Sequence, residues 1–224
     1  MAEAGNASGP RAVLFDLDGT LADTAADLAH ALNAVRRERG LEALALPALR
    51  PFASAGARGL IGAGFGVTPE HEEFAALREA FLRHYAARIC VETRLFPGMA
   101  ELLAAIESRG LPWGIVTNKS TALTHRLLDA LGLAGRPACV VCGDTTPHLK
   151  PHPAPLLHAA GALRLAPRQC LYAGDDLRDV QAARAAGMPV VAVEWGYGQD
   201  MREWPADSVL ARPADLISRL AEPM

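Results

Sequence analysis

The run Ala12-Val13-Leu14-Phe15-Asp16-Leu17-Asp18-Gly19-Thr20 decides how this chain is read. Arg11–Phe15 is a short apolar strand that ends on Asp16. Two carboxylates separated by one residue, followed by a glycine, can point into the same crevice from a tight loop. Like charges crowded in this way resist joint ionisation unless a cation neutralises them or one keeps its proton. One residue type can therefore supply both a nucleophile and a general acid. Asp and Gly are also common turn residues. The position directly after four apolar strand residues is what lifts the motif above a turn, because ligand sites in open parallel sheets lie at the carboxyl ends of strands.

Similar apolar runs recur downstream at Pro112–Thr117, Ala138–Cys142, Cys170–Ala173 and Pro189–Val193. Helical stripes separate the later ones. Met99, Leu102, Leu103 and Ile106 form one that ends at Gly110; Leu123, Leu127, Leu128 and Leu131 form another that ends at Gly132. This alternation predicts an α/β fold, a Rossmann-like parallel sheet covered by helices on both faces. Between Leu21 and Phe96 the alternation stops, and no strand is expected. Leu28, Leu32 and Val35 mark one helical face, closed by Gly40, and Phe74, Leu77, Phe81 and Tyr85 mark a longer one. The Gly- and Ala-rich stretch Ser54–Gly66 between them reads as a helix pair with a loop. The expected organisation is a disordered extension at residues 1–10, a core at 11–21 and 96–224, and a small all-helical cap domain at 22–95. Leu95-Phe96-Pro97-Gly98 is the return hinge. No internal repeat is visible.

Composition narrows the function classes. The 224 residues carry 22 Lys and Arg against 25 Asp and Glu, a formal net charge of −3, which excludes a broadly basic nucleic-acid-coating surface. Six Phe, three Trp and three Tyr give little support for a base-stacking platform. No apolar run reaches the roughly 18 residues of a membrane span. The stretch MAEAGNASGP lacks the basic and apolar regions of a secretory signal, so a cytoplasmic location is the default. The four cysteines do not suggest a disulfide scaffold. Cys139 and Cys142 have the C-x-x-C spacing but sit in ACVVCG, which reads as thiols in or beside a strand. Nothing in the sequence specifies an oligomeric state.

Three further motifs follow strand ends. Thr117-Asn118-Lys119 offers a hydroxyl and loop N–H groups to phosphate oxygens, or a helix N-cap. Lys150-Pro151 offers a braced point charge, or an ordinary surface lysine. Gly174-Asp175-Asp176-Leu177-Arg178-Asp179 places three carboxylates in five residues, which suits a hard divalent ion and equally an acidic helix start. Asp176 reads as a helix cap or a supporting acceptor.

The order DxDGT, then hhhTN, then K-P, then GDDxxxD resembles the haloacid dehalogenase-like phosphohydrolases over roughly Arg11–Leu220. Ser54–Arg58, LFPGM at Leu95–Met99 and GDDLRD at Gly174–Asp179 are similar to the phosphoglycolate phosphatase group and, within it, to N-acetylmuramic acid 6-phosphate phosphatases. The resemblance implies that Asp16 is the nucleophile, forming an aspartyl-phosphate, and that Asp18 is the general acid and base. It implies that Thr117, the Asn118 backbone and Lys150 hold the phosphoryl oxygens. It implies magnesium on Asp16, the backbone carbonyl of Asp18, and Asp175, with Asp179 in support. The acid at Asp18 favours phosphate-ester hydrolysis over dehalogenation, since a halide needs no proton. The implied partner is a small phosphorylated metabolite, with neither nucleic acid nor membrane. In the cap, Ser54, Gly56 and Arg58 are expected over the site, where Arg58 grips a substrate carboxylate or pairs within the cap. Phosphoglucomutase-like transfer, a non-catalytic binding protein of the same fold and a thiol redox protein are the competing readings. His148 and His152 read as loop residues, and Trp195-Gly196-Tyr197-Gly198 as a rim loop with at most a structural role.

Overall fold

Residues 9–220 are described by a computed structural model of the chain. In β1 (Ala12–Phe15) alternate side chains serve opposite faces of the sheet. Val13 and Phe15 join one buried apolar cluster, and Ala12 and Leu14 join another. A strand buried on both faces has to be apolar throughout, which is why AVLF does not alternate. The other parallel strands are β4 (Trp113–Val116), β5 (Cys139–Val141), β6 (Cys170–Gly174), β7 (Val190–Val193) and β8 (Ser208–Leu210). They pair in the order β5-β4-β1-β6-β7-β8. The edge strand β8 was not anticipated: two of its three residues are only partly buried, and three residues are too short a pattern to read.

Helices cover both faces. Leu102 of α5 (Met99–Ser108), Leu127 of α6 (Thr121–Ala130) and Leu216 of α9 (Pro213–Arg219) belong to the Val13–Phe15 cluster. Leu156 of α7 (Ala154–Ala162) and Val180 of α8 (Leu177–Ala186) belong to the Ala12–Leu14 cluster. The result is an α/β, Rossmann-like core. From β1 the chain builds outward through β4 and β5 on one side, then returns to build β6, β7 and β8 on the other. The crevice at this reversal opens at the carboxyl ends of β1, β4 and β6.

Two expectations need correction. The segment expected to lack strands contains β2 (Ala22–Asp23) and β3 (Arg94–Leu95), which pair antiparallel where the chain leaves and rejoins the core. A two-residue ribbon has no periodicity to read. The stretch 54–66 is not a helix pair with a loop. A 3₁₀ segment, Arg50–Ala55, runs directly into α3 (Gly56–Phe65), which ends at the left-handed Gly66. Here the glycines serve close packing rather than a loop: a Cβ at Gly64 would lie 2.8 Å from Leu32.

Between β2 and β3 the chain is helical: α1 (Ala25–Glu38), α2 (Leu46–Leu49), the 3₁₀ segment, α3 and α4 (Phe74–Ala87). The stripes on α1 and α4 meet, with Leu28, Leu32, Leu77 and Phe81 buried in one cluster. Of the expected N-terminal extension, residues 1–8 lie outside the described residues, and Pro10 is already buried.

Candidate active site

Asp16 leaves β1 with its N–H still bonded to Ala173 O at 2.9 Å, so the strand ladder fixes its backbone. Its side chain is buried. Lys150 Nζ lies 2.8 Å from Asp16 Oδ1 and 2.6 Å from Asp179 Oδ1, and also contacts Val116 O and the Tyr172 hydroxyl. Lys150 is itself positioned by Asn118, whose side-chain amide clamps the Lys150 backbone with two hydrogen bonds of 3.0 Å. The Asn118 main chain is not used by this clamp and is left to meet a ligand. Thr117 lies beside it at the end of β4, with its hydroxyl accepting from Lys119 N.

Asp175, Asp16 and Asp179 bring carboxylate oxygens within 4.8 Å of one another. Burial, followed by the charges of Asp16 and Asp179, pushes the Asp175 carboxyl up to about 8. Burial also pushes Asp16 up to about 7, against the pull of Lys150 and with a further push from Asp179. Three buried hard-oxygen donors, only two of which, Asp16 and Asp179, pair with the Lys150 ammonium, form a donor set that fits a divalent cation such as magnesium. The loops are shaped for this approach. Gly19 has φ +88°, and a Cβ there would lie 2.1 Å from Asp175 Oδ2.

Asp18 is not part of that cluster. Its Oδ1 accepts from Thr24 Oγ1 at 2.6 Å, and its Oδ2 lies 3.0 Å from Lys119 Nζ. The Lys119 ammonium is buried and sits 4.6 Å from the Tyr85 ring centroid on α4. Asp176 is the N-cap of α8, accepting from Arg178 N at 2.8 Å, and its carboxylate is also gripped by the Arg178 guanidinium. Despite burial, Arg178 holds the Asp176 carboxyl below its ordinary value. Asp179 completes the capping box through Asp176 N.

The helical segment closes over this crevice, leaving a cavity of about 530 Å³ lined by Asp16, Asp18, Thr117, Lys150 and, from above, Ser54, Gly56 and Arg58. Ser54 reaches further than expected: its hydroxyl donates to Asp175 Oδ2 at 2.8 Å, and its carbonyl accepts from Arg178. Leu28, Phe81, Leu82 and Leu123 give the cavity an apolar wall. A second cavity of about 490 Å³ opens at the amino ends of β6, β7 and β8, away from the carboxylates.

Several residues at the site received no role from the sequence. Thr20, Thr24, Lys119 and Tyr172 each touch a site carboxylate or Lys150. The loop Trp195–Gly198 is more central than a rim: Tyr197 is buried, and its N–H donates to Asp175 Oδ2 at 2.9 Å. Lys119 could have been found as the third member of its motif; the others are brought in by the fold. The two C-x-x-C thiols are free. Burial pushes Cys139 up to about 11 and raises Cys142, which disfavours the reactive thiolate. His148 and His152 lie in turns with their rings 4.2 Å apart.

Comparison with known proteins agrees with the geometry. The family model described as haloacid dehalogenase-like hydrolase matches residues 13–193. A phosphoglycolate phosphatase of Xanthomonas campestris pv. campestris is 45% identical over 221 residues, covering 96% of this chain and 98% of its own. An N-acetylmuramic acid 6-phosphate phosphatase of Pseudomonas putida is 44% identical over 209 residues, covering 92% and 94%. The crystal structure of a predicted phosphoglycolate phosphatase from Haemophilus somnus 129pt superposes with a TM-score of 0.84 at 28% identity, covering 96% and 99%. With a β1 aspartate pair, a buried lysine and a second carboxylate loop assembled at the carboxyl end of the sheet, and the family model spanning most of its length, the chain belongs to the haloacid dehalogenase-like hydrolases.

Proposed function

We propose that this enzyme, a phosphate-monoester hydrolase by its family and relatives, cleaves a small carboxylated phosphate ester through an aspartyl-phosphate on Asp16. The observation that carries the reading is the pairing of Asp16 with Lys150 beneath a cavity whose roof bears Arg58. Lys150 holds Asp16 Oδ1, so the other carboxylate oxygen attacks phosphorus. Asp18 gives its proton to the leaving oxygen, then takes one from the water that hydrolyses the acyl phosphate and frees Asp16. Thr117, the Asn118 main chain and Lys150 hold the phosphoryl oxygens. Asp16, the Asp18 carbonyl and Asp175 would hold magnesium, with Asp179 steadying Lys150; when bound, the ion offsets charge on the phosphoryl group. The residues 22–95 act as a cap domain that excludes water. Four free cysteines suit a reducing cytoplasm, and no described helix is long and apolar enough to cross a membrane.

A phosphate ester with a bulky carboxylated body is favoured over a two-carbon one, because the cavity of about 530 Å³ offers an apolar wall against which the larger body can pack. Phosphate release should therefore be measured on 2-phosphoglycolate, N-acetylmuramic acid 6-phosphate and a wider set of phosphorylated metabolites, with magnesium and with EDTA. Phosphate release that survives EDTA, or that is unchanged in Asp16→Asn, would overturn the mechanism.

A further inference from the structure

The N-cap of helix α1, Thr24, makes no side-chain capping bond, and the preceding Asp23 Oδ1 reaches Ala25 N only at 3.4 Å. The first N–H groups of a helix need acceptors. The closer acceptor comes from 172 and 173 residues downstream, where the Tyr197 hydroxyl takes Ala25 N at 3.0 Å and Thr24 N at 2.6 Å. The same hydroxyl donates to Asp23 Oδ1 at 2.9 Å, so its one proton and two lone pairs are all engaged. Asp23 and Thr24 are the residues on which the chain leaves the core for the helical insertion. The insertion returns the contact. Arg50, in its 3₁₀ segment, binds Asp23 through two bonds of 3.1 and 2.9 Å and lies 5.0 Å from the Tyr197 ring centroid.

The other end of Tyr197 faces the carboxylate cluster. Its N–H donates to Asp175 Oδ2, and the flanking glycines hold the loop against that residue. A Cβ at Gly196 would lie 2.3 Å from Asp175 Cβ, and one at Gly198 would lie 2.1 Å from Asp175 O. Both neighbours of Tyr197 are therefore packed directly against Asp175, on either side of the N–H that bonds its carboxylate. Thr24, held by the hydroxyl, in turn donates to Asp18.

We propose that Tyr197 is a positioning residue that ties the root of the helical insertion, through Arg50 and Asp23, to the orientation of Asp175 as a metal ligand. The inference rests on the metal reading above. Partners that orient metal ligands typically change affinity about 10- to 100-fold; a change one bond further out should be smaller, roughly three- to tenfold.

The test is manganese binding to the full-length purified chain by calorimetry, at a temperature well below unfolding, with manganese as the probe ion. Asp175→Asn should abolish binding; wild-type affinity in that variant would sink the metal reading itself. Tyr197→Phe should weaken manganese about three- to tenfold and lower kcat more than it raises KM on p-nitrophenyl phosphate. Arg50→Met, at the protein surface and with Tyr197 intact, should weaken manganese in the same direction without loss of fold. A purely structural Tyr197 would lower the melting temperature and leave manganese affinity and kcat unmoved. That result, or wild-type manganese affinity in Arg50→Met, would overturn the proposal.

Discussion

Replacing Asp175 with Asn should stabilise the metal-free protein at neutral pH while removing its response to magnesium. The Asp175 carboxyl rises from 3.8 to about 8 in the folded chain, first through burial and then through Asp16 and Asp179. Between those two values the folded state binds more protons than the unfolded state, so unfolding free energy falls as pH rises through the window. At about 1.4 kcal/mol per unit, the penalty at pH 7 amounts to roughly 4 kcal/mol. Part of it is shared with Asp16, and removing one carboxylate relaxes the other. The replacement also disturbs hydrogen bonds. Asp175 accepts from Thr20 Oγ1, Ser54 Oγ and Tyr197 N. The Asn carbonyl can keep the last two, and the Thr20 hydroxyl can turn to accept from the Asn amide, at a cost of about 1 kcal/mol. A net gain of roughly 2 kcal/mol remains, or about 4–8 °C for a chain of this size. Scanning calorimetry in EDTA at pH 5 and pH 7 reads this directly. The difference between variant and wild type should shrink at pH 5, where wild-type Asp175 is protonated. Magnesium should raise the wild-type melting temperature and leave the variant's alone. A variant less stable than wild type in EDTA at pH 7, or a difference independent of pH, refutes the reasoning.

Other outcomes follow from the same geometry. Asp16→Asn should cost at least about 10³-fold in kcat with the fold retained, since no neighbouring group replaces the nucleophile. Lys119→Met removes the cation 3.0 Å from Asp18 and should lower kcat about 10- to 100-fold on alkyl phosphates. The loss should be smaller on p-nitrophenyl phosphate, whose leaving group needs no proton; equal losses would separate Lys119 from proton transfer. Arg58→Ala should raise KM about tenfold for carboxylated substrates, with kcat little changed and no effect on uncharged analogues. Gly19→Ala sets a methyl group 2.1 Å from Asp175 Oδ2 and should abolish divalent-cation binding, measured by calorimetry.

The candidate site was legible where a residue's chemistry and its place at a strand end coincide. Asp16 and Asp175 lie directly past β1 and β6, and Asp179 follows in the first turn of α8, so reading the strands was enough to gather the cluster. Lys150 was legible as a charge, but the buried partners that bind it, Tyr172 and Val116 O, were not. Asn118 shows the opposite case. Its motif suggested a main-chain phosphate contact, and the fold adds a role for its side chain, which supports Lys150 from 32 residues away. The β2–β3 ribbon and β8 escaped because two or three residues are too few for a pattern to repeat.

The sequence by itself determined the parallel α/β sheet, the helical insertion after the first strand and the two carboxylate loops. Each depends on local patterning: apolar runs, helical stripes and acids that follow them directly. Only the tertiary structure decided that Ser54 touches Asp175, that Lys119 faces Asp18, and that Tyr197 joins the root of the insertion to the carboxylate cluster. Those contacts connect residues far apart in the chain, some more than 170 positions. They arise from how the insertion settles over the carboxyl end of the sheet and how glycine-flanked loops close around Asp175, and neither leaves a periodic trace in the sequence.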